Sequence, residues 1–282
     1  MSQWYHRNGL KNTSKQNFYL PLSTQMPSVV RLCCSAKDAR KIFLDLISDP
    51  SSSSEDIHKN ILEYLSVIQG FVYIVPSSSS SAIAANAPAL EQSKTPTNSS
   101  KLRNMISFKW SNSVTGTIEQ QSDMVFEMCN ILYEYSLWLM KHASWLASQD
   151  NVDMESAKKV HSSLRRSAGI LEFIQTHLIP QLTTKPEAGS DLDGRVITAY
   201  IATCQAEAQE VTIARAIELK HSSSLISALA NQTAQLFQQA SAALSDLDRK
   251  VFGKWLIYLQ LKASVYLSYV RIYMQYYMYF LI

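Results

Sequence analysis

Histidine and cysteine are the side chains that most often carry metal or nucleophilic chemistry. The six histidines are His6, His58, His142, His161, His177 and His221, and the four cysteines are Cys33, Cys34, Cys129 and Cys204. Their spacing offers no site. Cys33 and Cys34 are adjacent, no CxxC exists, and no His/Cys/Asp/Glu set has ligand spacing. His161 neighbours Ser162 and Ser163, but neighbouring helical side chains point about 100° apart and make no catalytic pair. GxGxxG, P-loop, HExxH and GxSxG are all missing. The expectation is four reduced thiols, no cofactor, no metal and no enzyme, because no nucleophile has a positioned base.

Recognition chemistry is better supplied. Between Ala206 and Leu236 the chain reads as two helices with a polar break at His221 to Ser224. Wound at 100° per residue, Ala202, Ala206, Ile213, Ala216 and Ile217 fall on one strip. Ala208, Thr212, Arg215 and Leu219 fall on a second, about 130° away. A surface helix with a single core contact has one apolar strip. The second, semi-apolar strip with its lone arginine suits either a further neighbour or a docked partner helix. The following helix carries Leu225, Leu229, Leu236, Ala240 and Leu247 at one edge of a wide apolar arc, and Ile226, Phe237 and Leu244 at the other. On these grounds alone Leu225 and Leu229 are core leucines or groove leucines, and Arg215 is a groove cation or an i,i+3 partner of Glu218.

Gln205 to His221, QAEAQEVTIARAIELKH, resembles the signature of the Bro-domain family of Alix-like scaffolds. Trp4-Tyr5-His6-Arg7-Asn8, Gln69-Gly70-Phe71 and Phe108-Lys109-Trp110 resemble the small members of that family in the same order. The resemblance runs from Trp4 to about Leu261. It implies an all-α, banana-shaped scaffold with a small N-terminal β-sheet, acting as a non-catalytic adaptor. Its concave face would dock the C-terminal amphipathic helix of an ESCRT-III filament subunit of the CHMP4 class, in endosomal sorting or nuclear-envelope repair. By matched position the groove floor would use Thr212, Leu225 and Leu229. Arg215 would face acids on the partner, and Lys158 would add a second positive charge, with Lys159 beside it as an equal alternative. Alix-type members carry an aromatic at the Thr212 position, so threonine removes a large apolar contact.

The elements that must position these residues are helical. Seven glycines and eight prolines are few for 282 residues. Ala36 to Ile47 keeps helical period and stops at Asp49-Pro50. Ser51 to Ser54 forms a linker with a cap for a helix running from Ile57 to about Gly70. Leu102 to Gly116 alternates as a short strand, and Phe18-Tyr19-Leu20 reads as an edge strand. Long helices follow over Ile118 to Ala147 and Asp153 to Ile179, the second capped by Asp153 and closed by Pro180. Thr183 to Gly194 is a loop. Residues 76–101 lack the apolar surface that offsets ordering entropy and read as a disordered Ser/Ala/Pro insertion.

The net charge of +3 with no Lys/Arg run argues against nucleic acid. The polar N-terminus carries no secretory signal, and Ser2 excludes myristoylation. Residues 266–282 form a divergent tyrosine-rich tail. Lys262 and Arg271 break its apolar run well short of the roughly 20 residues a membrane span needs, so no span is expected. Small members of the family end in a prenylation box; Tyr279, fourth from the end here, excludes one. The whole chain, 1–282, therefore reads as a partial Bro domain incomplete at its C-terminus. It would be a cytoplasmic protein recruited to endosomal or nuclear membranes through ESCRT-III. The alternatives are a truncated isoform or gene-model fragment without binding activity, and a membrane-associated tail protein.

Overall fold

The computed structural model describes residues 9–20, 26–73, 100–149 and 153–279, with side chains placed up to residue 275. The opening motif Trp4 to Asn8 and nearly all of the 76–101 insertion lie outside the described residues. Seven α-helices dominate the remainder: α1 (Pro27–Ile47), α2 (Ser54–Val72), α3 (Met124–Ala147), α4 (Met154–Phe173), α5 (Gly194–Glu218), α6 (Ser223–Leu244) and α7 (Arg249–Tyr279). One antiparallel hairpin, β1 (Phe108–Ser111) with β2 (Ile118–Gln121), completes the architecture.

Local chemistry starts most of the helices. Pro27 fills the first turn of α1, where its missing N–H costs nothing. Ser53, Asp123, Asp153, Asp193 and Ser222 each cap the helix that follows by accepting a backbone N–H from its first turn. From α3 onward each helix packs against the next, and α1 pairs with α2. α3 lies at the centre of the N-terminal part and is buried on every face along most of its length.

That burial includes polar groups. Glu127, Asn130 and Glu134 recur at helical spacing along α3 and are almost wholly shielded from solvent. Their partners come from far away in the chain. Glu127 accepts from Arg40 Nε at 2.7 Å, the Tyr64 hydroxyl at 2.9 Å and Trp110 Nε1 at 2.6 Å. Lys11 donates its backbone N–H to both Glu134 oxygens, at 3.0 and 2.8 Å, and its ammonium to Asn130 at 2.5 Å and Asp191 at 2.7 Å. Burial pushes the Glu134 carboxyl up to about 8 against the opposing pull of Lys11. Asp123, the α3 cap, also receives a two-pronged bond from Arg103, 2.8 Å on each arm.

Several sequence expectations are corrected. The long helix expected from Ile118 begins at Met124, because Ile118 to Gln121 pair in register with Phe108 to Ser111. Phe108 and Trp110 of β1 point into the core and decide that register. The turn between the strands closes on Asn112, whose side chain accepts from the Val114 and Thr115 amides, and on Gly116, held at φ 73°. Phe18-Tyr19-Leu20 forms no strand. The sheet edge is instead met by Asn12 and Thr13, while Phe18 and Leu20 plug the core. α1 starts nine residues before Ala36, at Pro27. α2 runs through Gly70 to Val72. The helix read over Asp153 to Ile179 is α-helical only to Phe173. A π turn (Ile174–Leu178) and a 3-10 turn (Ile179–Gln181) follow, as Pro180 withdraws its N–H from the ladder. The tail residues up to Tyr279 continue α7, and Tyr266 is buried against the core.

Candidate partner-helix groove

The two strips foreseen on α5 are reassigned by packing. Ile217, read as core, is exposed, while Ala208, read as second-strip, is fully buried. Besides the exposed Ala214, Ile217 and Glu218, the helix keeps a half-buried ridge: Ile201, Gln205, Gln209, Thr212 and Arg215, ending on exposed Leu219. α4 flanks this ridge on one side and α6 on the other. α7 reaches α5 through Lys262, which donates to Glu210 at 2.6 Å, and the Tyr258 hydroxyl, which donates to Glu207 at 3.1 Å.

The register between α5 and α6 follows from one contact. Gln209 Nε2 donates to Gln232 Oε1 at 2.9 Å. Helices joined by a tight turn run antiparallel with equal rise. Three residues onward on α5 is Thr212, and three residues back on α6 is Leu229, so these two share a level. Leu225 lies one further turn toward the α5–α6 connection. Leu225 is 42% exposed and Leu229 is half-buried, in contact with the core at its base. Ile226, Phe237 and Leu244, at the other edge of the arc, are fully buried. The wide apolar arc therefore divides into a core edge and an open edge.

The break between α5 and α6 is a tight helix-ending turn. His221 N–H returns to the Ala216 carbonyl at 2.9 Å and Lys220 N–H to the Ile217 carbonyl at 3.0 Å. That pattern needs a left-handed residue, and Lys220 supplies it at φ 54° where glycine is usual.

Arg215 sits on the α4 side. It donates to Glu218 at 2.5 Å and lies 3.5 Å from the Met154 sulfur on α4. Lys158 is one helical turn from Met154 and shares its face. It is exposed and 3.9 Å from Glu155. The structure thus joins Thr212, Leu225 and Leu229 across α5 and α6 and brings Arg215 against α4. Lys158 is on the same side with its charge already partnered. Lys159, its alternative, lines a different cleft, beside α2. Sequence reasoning missed Met154, Gln209 and Gln232. Gln209 carried a signal, lying one turn before Thr212 on the same strip; Met154 carried none.

Among the described residues no group of three His, Cys, Asp or Glu side chains is placed to hold a metal. No helix of the described chain is long and apolar enough to cross a membrane. All four cysteines are free thiols, only Cys34 being exposed.

Comparison with known proteins bears on this geometry. The profile of the BRO1-like domain matches residues 89–277. The zebrafish (Danio rerio) BRO1 domain-containing protein BROX is 40% identical over 274 residues, covering 97% of this chain and 62% of that protein. The chain therefore spans less than two thirds of the length of that relative. A solved structure described as the basis for endosomal targeting by the Bro1 domain superposes with a TM-score of 0.68 at 17% identity, covering 99% of this chain and 71% of that one. The ALIX BRO1 complex with CHMP4C gives a TM-score of 0.63 at 18% identity, covering 95% and 74%. At those identities the structural likeness concerns the fold, which is all-α with a small sheet in both.

Proposed function

Since the chain belongs to the BRO1-like domain family, we propose that it is a non-catalytic adaptor whose α4–α5–α6 face receives the C-terminal amphipathic helix of an ESCRT-III subunit of the CHMP4 class. The observation that carries this reading is the ridge of α5. Thr212 lies level with Leu229, Leu225 is left exposed beyond it, and Arg215, the cation of the ridge, stands against Met154 of α4. A relative with this fold has been solved as the ALIX BRO1 complex with CHMP4C. Apolar side chains at i, i+3, i+4 and i+7 of a partner helix would bury against Leu225, Leu229 and Thr212. Arg215 would fix register by exchanging Glu218 for an acid on the partner, and Lys158 would contribute only weak steering. Recruitment to endosomal membranes, or to a ruptured nuclear envelope, would follow from the filament rather than from the adaptor.

Fluorescence-anisotropy titration against a labelled CHMP4-class C-terminal helix peptide tests this, with Arg215→Glu alongside. Saturable binding weakened by the charge reversal supports the site. Absence of binding by a chain that circular dichroism shows to be folded rejects it.

A second reading, a chain without binding activity that self-associates, is favoured by the outer face of α7. There Ile257 and Leu261, one turn apart, are 68% and 61% exposed. Light scattering at the concentrations used for titration separates the two readings.

A further inference from the structure

The cleft between the α1–α2 connection and α4 is not used by the groove. It encloses about 400 Å³ and is lined by Ser51 to Ser54, Glu55, His142, Lys159, Ser162, Ser163 and Arg166. Lys159 and Arg166 lie two turns apart on α4, both exposed. Neither makes an ion pair within 4 Å among the described residues, although Asp153 is within electrostatic reach of Lys159 and the Tyr135 hydroxyl neighbours Arg166. His142 donates its Nδ1 proton to the Pro50 carbonyl at 2.7 Å, and burial holds it below the usual imidazole range. It is neutral near pH 7, which leaves the lysine and the arginine as the positive charges here. Glu55 is the opposing charge.

Three of the four serines differ in what their hydroxyls do, and Ser54 is half-buried within the first turn of α2. Ser51 Oγ donates to Asp49 at 2.7 Å, and Ser52 Oγ donates to the Leu46 carbonyl at 2.7 Å from a half-buried position. Ser53 is exposed, and its hydroxyl only accepts, at 3.3 Å, from the Asp56 amide as the cap of α2. Its own proton is uncommitted. Asp56 stands three residues after Ser53 and Glu55 two after, the acidic downstream pattern that acid-directed protein kinases recognise.

We propose that Ser53 is a phosphorylation site whose phosphate is received by Lys159 and Arg166, clamping the α1–α2 connection onto α4. The γ-phosphoryl group of ATP passes to Ser53 Oγ. The new bond is Oγ–P, the bond broken joins the γ-phosphorus to the bridging oxygen of ADP, and the hydroxyl proton is released. The product places a dianion at the start of a helix, where the exposed amides and the macrodipole favour it. The same dianion faces two cations that make no close ion pair of their own, so new charge-assisted bonds form across the cleft. The acids oppose it: Glu55 lines the cleft and Asp56 is exposed beside it, and because both are open to solvent their repulsion is screened.

The experiment uses the full chain, ATP and an acid-directed Ser/Thr kinase, with three readouts. Fragment mass spectrometry is expected to place the phosphate on Ser53, and Ser53→Ala to lose it. The phosphorylated chain is expected to melt a few degrees above the unmodified one, with the gain shrinking as salt rises. The exposed double substitution Lys159→Gln/Arg166→Gln is expected to remain folded and to abolish that gain while Ser53 is still modified. A phosphate found only elsewhere, or none, overturns the site. A thermal gain unchanged in the double variant overturns the receiving role of Lys159 and Arg166.

Discussion

The charges around α3 and the charges around the α5 ridge are built on opposite terms. Arg40, Lys11 and their carboxylates are shielded from water and drawn from segments far apart in the chain. Arg215 and Lys158 pair with acids three residues away on their own helices, and Glu218, Glu155 and Lys158 are all well exposed. A buried pair that loses one member leaves an uncompensated charge in a poor solvent. A surface i,i+3 pair is worth only a few tenths of a kcal/mol and is exchanged at little cost. The first arrangement specifies a structure. The second leaves charges ready to swap partners, as a recognition surface requires.

The comparison is broken most directly at Glu127. Glu127→Ala strips the partner from Arg40, Tyr64 and Trp110 at once. It is expected to cost about 3–5 kcal/mol, read as a collapse of the urea midpoint; a loss below about 1 kcal/mol would put the two regions on the same footing. Leu229→Asp probes the other side. It is expected to weaken peptide binding at least tenfold, about 1.4 kcal/mol, while the far-ultraviolet circular dichroism stays native. An unfolded variant would make Leu229 core and erase the contrast. Lys220→Gly is expected to stabilise the chain by about 0.5–1 kcal/mol, because a left-handed lysine gives way to a residue that adopts this conformation freely. Chemical denaturation measures it, and a destabilised variant would show that the turn needs the lysine side chain. The smallest effect expected is at Glu218. Glu218→Gln frees Arg215 and should tighten binding of an acidic helix by about twofold, and calorimetry that finds weaker binding would show Glu218 itself meeting the partner.

How much of this was legible in the sequence follows the same division. Caps are local, so the Ser51 to Ser54 run and Asp153 announced their helices, the structure assigning the first cap to Ser53, and the polar break before α6 was visible from His221 to Ser224. β2 was not legible, because Ile-Glu-Gln-Gln has no alternating pattern of its own and becomes a strand only opposite Phe108 to Ser111. The polar rank on α3 was equally hidden, since Glu127 looks like a surface residue until Arg40, 87 positions earlier, is brought to it. For the groove, periodicity found Thr212 and Arg215 on one strip but exchanged Ile217 for Ala208. Winding angles fix relative faces and not which face a neighbouring helix covers. Leu225 and Leu229 were left open between core and groove, and the Gln209–Gln232 bond is what sets their level.

The bond between Lys11 and Glu134 also has a schedule. Its two ends are 123 positions apart. At the roughly 5–20 residues per second at which ribosomes extend a chain, the lysine waits about 6–25 s before its carboxylate exists, and longer before Asp191 follows. For that interval residues 9–20, with Phe18 and Leu20 among them, have no seat, and the α1–α2 hairpin has no central helix to lean on. Residues 9–20 are made before α3 and secured only after it. Its apolar side chains must be kept from other encounters until α3 has emerged, which ties residues 9–20 to the pace at which the following roughly 120 residues are made.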